Sequence, residues 1–146
     1  SLVTVTARSQ DKLDHLREVH RQHGTREDLI RYVVTPTPAD ADAIVAAAPA
    51  GSVIANATGL GKDRPGSPLT DAVVFPESSW AWEFNYRGSL EFMHQALAQR
   101  DARSLQVIDG WRYFIHGWSQ VVADVFGLTL TPEIVEELAS AAESVR

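Results

Sequence analysis

The feature that most constrains how this chain can fold is an alternation of short apolar runs with longer helical stretches. Apolar and β-branched runs predict strands at residues 2–6, 29–34, 52–55, 73–75, 80–86 and 105–108. Helices are predicted after an N-cap at Ser9 and at residues 40–48, 89–99, 110–126 and 131–145. Strands that alternate with helices of roughly 10 to 15 residues form right-handed crossover units on a parallel sheet. The sequence therefore predicts an α/β fold.

Composition limits the functions open to this chain. Its 146 residues suit one main domain, and the absence of cysteine excludes disulfides and thiolate chemistry. No apolar run approaches the roughly 20 residues that a membrane span needs, and the beginning of the sequence does not resemble a signal segment, so we expect a cytoplasmic protein. A net charge of -6 argues against a nucleic-acid partner and requires any phosphate site to be local. The five histidines lack metal-ligand spacing, so no metal is expected.

The loops after the strands are where a ligand is expected, because open parallel sheets bind ligands beyond the carboxyl ends of their strands. Four segments in these regions resemble the C-terminal, nucleotide-binding domain of the shikimate dehydrogenase family: Thr6-Ala7-Arg8-Ser9, Asn56-Ala57-Thr58-Gly59-Leu60-Gly61, Glu83-Phe84-Asn85-Tyr86, and Asp109-Gly110 followed by a helix. Their order and spacing match over nearly the whole chain. The resemblance implies a Rossmann-like, doubly wound parallel sheet and hydride transfer between NADPH and 3-dehydroshikimate.

The resemblance also implies which residues contact the cofactor. Arg8 and Ser9 occupy places of the family's Asn-Arg-Thr motif, where Arg8 and Lys12 would bind the 2'-phosphate of NADP, whereas a carboxylate would favour NAD. The implied cofactor contacts are Arg8, Ser9, Lys12, Asn56, Ala57, Thr58 and Gly110. NADP is therefore the expected cofactor.

Two residues are implied to contact the substrate, a small cyclic hydroxy acid. Tyr86 matches the family's substrate tyrosine, although Glu83 replaces an Asp and Gly88 replaces a Pro. The family's helix carries a Gln where Gly117 stands here, and Gln120, nearly one turn further on, could reach the same pocket. A second interpretation of the strand keeps Tyr86 in the core, since Trp80, Trp82, Phe84 and Tyr86 alternate onto one face.

Parts of the family pattern have no counterpart in these 146 residues. The family's catalytic Lys and Asp belong to an N-terminal substrate domain. In the family, the Gly-rich loop and the first strand come before the strand that residues 2–6 resemble. We therefore expect no catalytic residue here, a partial NADP-binding domain over 1–128, and a C-terminal helix over 129–146 that packs on the substrate domain. In the family's strand order the first strand lies between those at 2–6 and 52–55. This chain alone is expected to be inactive.

Two alternative functions stay open. The chain resembles an enzyme that could act on quinate or another cyclic polyol, since Gly117 replaces the family Gln. In a different class, it would be a non-catalytic module that binds NADP or serves as an assembly surface. As part of an enzyme, the chain would have the substrate domain and a small cyclic hydroxy acid as its partners. A homodimer is also compatible with the sequence.

Overall fold

The computed structural model describes residues 2–143 and confirms the α/β class. Within these residues, the strands are β1 Val3–Ala7, β2 Ile30–Val34, β3 Val53–Asn56, β4 Trp80–Glu83 and β5 Gln106–Ile108. The helices are α1 Gln10–Gln22, α2 Pro38–Ala46, α3 Glu91–Leu97, α4 Arg100–Arg103, α5 Trp111–Phe126 and α6 Pro132–Glu143. Residues 144–146, the end of the predicted last helix and domain, lie outside the described residues. No described helix has both the length and the apolar character that crossing a membrane requires.

The strands form two separate parallel sheets. In one, β1 pairs with β2, and in the other β4 lies between β3 and β5. Among the described residues, β1 and β3 therefore each have a hydrogen-bonded neighbour on one side only. Val3 on β1 and Val53 on β3 are 53% and 62% exposed. The connection from β2 through α2 to β3 carries the chain from one sheet to the other.

The helices cover both faces of the three-stranded sheet. One face carries a core in which Ala81 of β4 packs with Ala41 and Val45 of α2 and with Phe92 and Ala96 of α3. On the other face, Tyr113 of α5 stacks on Phe84 and meets Trp82 edge to face. α1 covers the smaller sheet and buries Leu13.

Helix α2 begins two residues earlier than the predicted helix at 40–48. The reason is a capping box, in which the Thr37 hydroxyl accepts the Asp40 N–H and the Asp40 carboxylate accepts the Thr37 N–H. Pro38 fits at the first helical position because its missing N–H would have no partner there anyway. The helix start is therefore fixed by local side-chain chemistry.

The predicted strand at 73–75 is wrong. Val73 and Phe75 are buried, as their apolar character suggests, but they pair with no strand. The side chain of Gln99 takes the place of a neighbouring strand: its Oε1 accepts the Phe75 N–H at 3.2 Å and its Nε2 donates to the Val73 carbonyl at 2.8 Å. Buried backbone groups need partners, and here one amide side chain supplies both.

The interpretation of the β4 aromatics as core residues is wrong for Trp80, whereas Tyr86 packs against the buried cluster formed by α5 and α6. Ala81 and Glu83 are fully buried, whereas Trp80 is 45% exposed. The other three aromatics of this alternating set, Trp82, Phe84 and Tyr86, are half-buried. β4 is the central strand, and the packing of α2 and α3 leaves room only for small or hydrogen-bonded side chains on that face.

The last helix packs within this chain. Val135 and Ala139 of α6 are buried against Trp111 and Ile115 of α5. The expectation that residues 129–146 pack on a further domain stays a prediction, and the exposed Leu138 of α6 remains available for such a contact.

Candidate ligand-binding site

The loops that follow β3, β4 and β5 pack into one unit, which we call the loop cluster and define as residues 56–62, 83–88 and 109–110. Two glycines permit this packing. A Cβ at Gly88 would lie 2.4 Å from the Gly61 carbonyl oxygen, and a Cβ at Gly110 would lie 2.0 Å from that of Phe84. Both distances are too short for any side chain, so these glycines let three backbone segments meet at the carboxyl ends of the strands.

A buried carboxylate lies at the centre of the loop cluster. Glu83 has no exposed surface, and its Oε1 accepts the Asn85 N–H at 2.9 Å and the Asn85 Nδ2 at 2.7 Å. Its Oε2 accepts Asn56 Nδ2 at 2.9 Å. Burial raises the pKa of the Glu83 carboxyl above its ordinary value, and the bonds from Asn85 and Asn56 only partly oppose this.

Asn56 and Asn85 connect the carboxylate to the next loop. Both side-chain amides also donate to the Leu60 carbonyl, at 3.1 and 2.8 Å. The Asn56 Oδ1 accepts the N–H and the hydroxyl of Thr58. Asn56 is 1% exposed, so both of its amide atoms are committed within the protein. The contact of Asn56 with the cofactor stays a prediction; in this structure its side chain holds the loop, whereas Ala57 and Thr58 lie on the surface of that loop.

Tyr86 lies at the edge of the loop cluster, between rings and cations. Its ring stacks on Phe114 of α5 at 4.0 Å between centroids and lies 6.2 Å from Trp111. The Lys62 ammonium lies 4.8 Å from the ring centre of Tyr86 and the Arg87 guanidinium 5.7 Å. The ring is half-buried and held in place by its stack on Phe114.

The other implied cofactor residues lie at the end of β1, in the smaller sheet. Arg8, Ser9 and Lys12 are exposed. Ser9 is the N-cap of α1 with extended backbone, but its hydroxyl caps no helix N–H. Within residues 2–143, Arg8 and Lys12 form no ion pair, although Asp11 lies in the same first turn. The structure thus groups Asn56, Ala57, Thr58, Tyr86 and Gly110, and leaves Arg8, Ser9 and Lys12 as a second group.

Gln120 belongs to neither group. It is exposed on α5, where its Nε2 donates to Asp124 Oδ1 at 2.7 Å. Nothing lies within 4 Å of the Cβ position of Gly117, so the space that the family's Gln would fill is open here. A substrate contact by Gln120 stays a prediction, and it would require this hydrogen bond to break.

Sequence reasoning missed Glu83, Asn85 and Lys62 as structural parts of the site. A signal for the first two was present: acidic and amide residues at alternate positions of an otherwise aromatic strand oppose the usual hydrophobic pattern, and such a residue is buried only when hydrogen-bonded. Lys62 had no sequence signal, since its position depends on the packing of two loops.

Across residues 2–143, no three His, Asp or Glu side chains come together in a way that could hold a metal ion. The groups present in the loop cluster include amides, hydroxyls, aromatic rings and the cations Lys62 and Arg87. Comparison of the chain with protein-family models, with curated proteins and with solved structures found no match.

Proposed function

We propose that this chain is the NADP-binding portion of an oxidoreductase similar to shikimate dehydrogenase, which reduces 3-dehydroshikimate with NADPH. The observation that carries the proposal is that all four segments that resemble the family lie at the carboxyl ends of parallel strands, three of them packed together and the fourth after β1 in the smaller sheet. Three of those loops contact one another through Gly88, Gly110 and the Glu83 network. This is the edge at which open α/β sheets bind nucleotides.

The strand pairings support a Rossmann-like, doubly wound sheet. β2 and β1 are adjacent, β3, β4 and β5 follow one another, and all pairs are parallel. One further parallel strand between β1 and β3 would join the two sheets in the order 3-2-1-4-5-6 of that fold. The exposed Val3 and Val53 would then be covered.

Features at the end of β1 fit the 2'-phosphate of NADP. Arg8 and Lys12 are exposed cations without an ion-pair partner among the described residues, and the Ser9 hydroxyl at the start of α1 is not used as a cap. The beginning of a helix of 13 residues adds unpaired N–H groups and a partial positive charge. Asp11 opposes this field, so the guanidinium of Arg8 would be the main determinant.

The loop cluster would hold the nicotinamide end of the cofactor. Ala57 and Thr58 present an exposed loop surface, and Gly110 brings backbone close to the end of β4. Bound NADPH would supply the hydride. The role of this chain's residues would be to orient the ring and to shield it from water. Glu83 is not suited to proton transfer with a ligand, because it has no exposed surface and both oxygens accept hydrogen bonds.

The test is Arg8→Asp, compared with Arg31→Asp as a control that makes the same charge change at an exposed residue of β2. A charge-assisted hydrogen bond to phosphate is worth roughly 1.5 to 3 kcal/mol. The affinity of Arg8→Asp for NADP should therefore fall by about 10- to 150-fold. NAD affinity should stay the same or improve, since Asp can accept its 2'-hydroxyl. Dissociation constants are measured by calorimetric titration at low ionic strength, because salt weakens the contact.

Unchanged NADP affinity in Arg8→Asp, or an equal loss in Arg31→Asp, would contradict the assignment of the 2'-phosphate to Arg8.

The second candidate function is that of a non-catalytic assembly module. The exposed apolar side chains of α5 favour it, Val125 at 71% and Phe126 at 72% among them. Absence of any NADP binding by the complete protein that contains this chain would favour that module. A quinate or polyol substrate would be distinguished by turnover once the substrate domain is present.

A further inference from the structure

Two hydrogen-bond donors of the loop cluster, on Lys62 and Tyr86, have no acceptor among the described residues. Of the ion pairs formed within residues 2–143, none includes Lys62, whose ammonium lies over the ring of Tyr86. The Tyr86 hydroxyl donates no hydrogen bond to any described residue. Both side chains are half-buried. A half-buried ammonium with an aromatic ring as its contact still lacks an acceptor for its N–H groups.

The backbone of Lys62 is held firmly in this position. A Cβ at Gly88 would lie 2.5 Å from the Lys62 carbonyl oxygen and 2.8 Å from its Cα, so the two turns are in direct contact. The adjacent Gly61 accepts the Leu90 N–H at 2.9 Å and donates to the Arg64 carbonyl at 2.8 Å. The stack of Tyr86 on Phe114 fixes the second donor. The backbone of Lys62 and the ring of Tyr86 are therefore held in place, which reduces the freedom that remains to be lost on binding a ligand.

The surrounding charges leave Lys62 uncompensated. Asp63, its neighbour, binds Arg87 at 2.9 Å. Glu91 Oε1 accepts the Gly66 N–H at 2.9 Å, whereas its buried Oε2, 3.1 Å from the Cβ position of Gly61, has no hydrogen-bond partner among the described residues. Asp63 is thus paired elsewhere, and neither carboxylate forms an ion pair with Lys62. The chain carries a net charge of -6, yet Lys62 has no ion-pair partner among the described residues.

We propose that Lys62 and the Tyr86 hydroxyl together bind an anionic oxygen group of a ligand, either a carboxylate or a phosphate, and that Lys62 determines specificity for it. The inference rests on the proposed function only for the molecule that carries the group: the carboxylate of the cyclic hydroxy acid or a phosphate of the dinucleotide. Its geometry does not involve Arg8, so the two proposals can fail separately.

The test compares the wild-type chain with Lys62→Met, Lys62→Arg, Tyr86→Phe and Arg64→Met. Met keeps most of the length and apolar stem of Lys, and Arg64→Met removes one positive charge from an exposed position of the same loop. Phe keeps the ring stack but lacks the hydroxyl. The probes are shikimate, its neutral methyl ester, inorganic phosphate and NADP, titrated by NMR at low ionic strength.

Lys62→Met should weaken binding of an anionic probe by about 10-fold or more, with Lys62→Arg and Arg64→Met within a few-fold of wild type. Tyr86→Phe should cause a smaller loss. If shikimate but not its ester loses affinity, the group is a carboxylate, and if NADP or phosphate does, it is a phosphate. Equal affinities in wild type and Lys62→Met, or equal losses in Arg64→Met, would overturn the proposal. NADP affinity that depends on Arg8 while Lys62→Met changes nothing would overturn this inference alone.

Discussion

At the scale of single residues, the central feature is a carboxylate inside the protein. Glu83 is held by N–H groups from Asn56 and Asn85 rather than by a cation. Amide donors stabilise the charge of the Glu83 carboxylate less than water does. Burial therefore outweighs these hydrogen bonds and raises the pKa of Glu83. The residue joins the β3 and β4 loops at an electrostatic cost.

This cost makes stability depend on pH. A carboxyl whose pKa is higher in the folded than in the unfolded state contributes stability that is complete below the unfolded pKa and is lost as pH rises through the folded pKa. Glu83→Gln removes this dependence. We therefore expect the free energy of unfolding of wild type to fall relative to Glu83→Gln as pH rises from about 4.5, the ordinary value for Glu.

Urea unfolding of both proteins across pH 4 to 8 measures this difference. The remaining carboxylates are common to both chains, so their contributions cancel when the two curves are subtracted. A gap between the two proteins that does not change with pH would show that the pKa of Glu83 is not raised.

Sequence reasoning succeeded where residue type alone determines position and failed where packing decides. The period of two in β4 is visible in the sequence, but residue type alone places Trp80 in the core, where the structure leaves it 45% exposed. The helices on the other face leave space for Ala81 and for a hydrogen-bonded Glu83 instead. The roles of Gly88 and Gly110 as contact points, and of Lys62 beside Tyr86, depend on tertiary structure and have no local pattern.

At the scale of secondary-structure elements, the beginning of α5 is fixed against β4. Gly110 is the N-cap of α5, and its Cα lies against the backbone of Phe84. Its N–H donates to the Asn85 carbonyl at 2.9 Å. The direction of the longest helix is therefore set by a backbone contact within the loop cluster.

Gly110→Ala should separate these elements, because its Cβ would lie 2.0 Å from the Phe84 oxygen. Overpacking of this kind costs about 1 to 3 kcal/mol. Gly117→Ala is the matched control on the same helix: nothing lies within 4 Å of its Cβ, and it should stabilise the helix by roughly 0.5 to 1 kcal/mol. Urea unfolding measures both, and changes of the same sign would contradict the assignment.

Most elements were predictable because helices and strands follow local apolar patterns and caps. The order of strands and helices was correct apart from residues 73–75, and from the short α4, which follows the predicted helix at 89–99. Residues 73–75 have the composition of a strand, and only the distant Gln99 side chain replaces the pairing. No local pattern reveals a partner 24 or 26 residues away.

At the scale of the whole molecule, the sheet is divided and one helix face is uncovered. Exposed apolar side chains continue along the second half of α5, namely Trp118, Val121, Val122, Val125 and Phe126. Contiguous apolar surface of this kind marks an interaction site or a liability for association. The chain is therefore expected to self-associate as its concentration rises.

The double substitution Val125→Lys with Phe126→Lys should suppress this association. Both side chains are more than two thirds exposed, so the free energy of unfolding should change little, while the sedimentation coefficient loses its dependence on concentration. Gln22→Lys with Gln10→Lys, at exposed positions of α1, controls for the added charge. A large loss of stability, or equal suppression by the control pair, would contradict a role for this face.

The row of rings formed by Tyr86, Phe114 and Trp111 also has an optical consequence. Trp111 lies 6.2 Å from Tyr86 and 5.7 Å from Phe114, close enough for any displacement of the tyrosine to alter the surroundings of the indole. Indole emission shifts in wavelength and intensity with the polarity of its neighbours. Binding of a ligand beside Tyr86 should therefore change the intrinsic tryptophan fluorescence of the chain, without an attached dye. Trp111→Phe should remove this change in fluorescence.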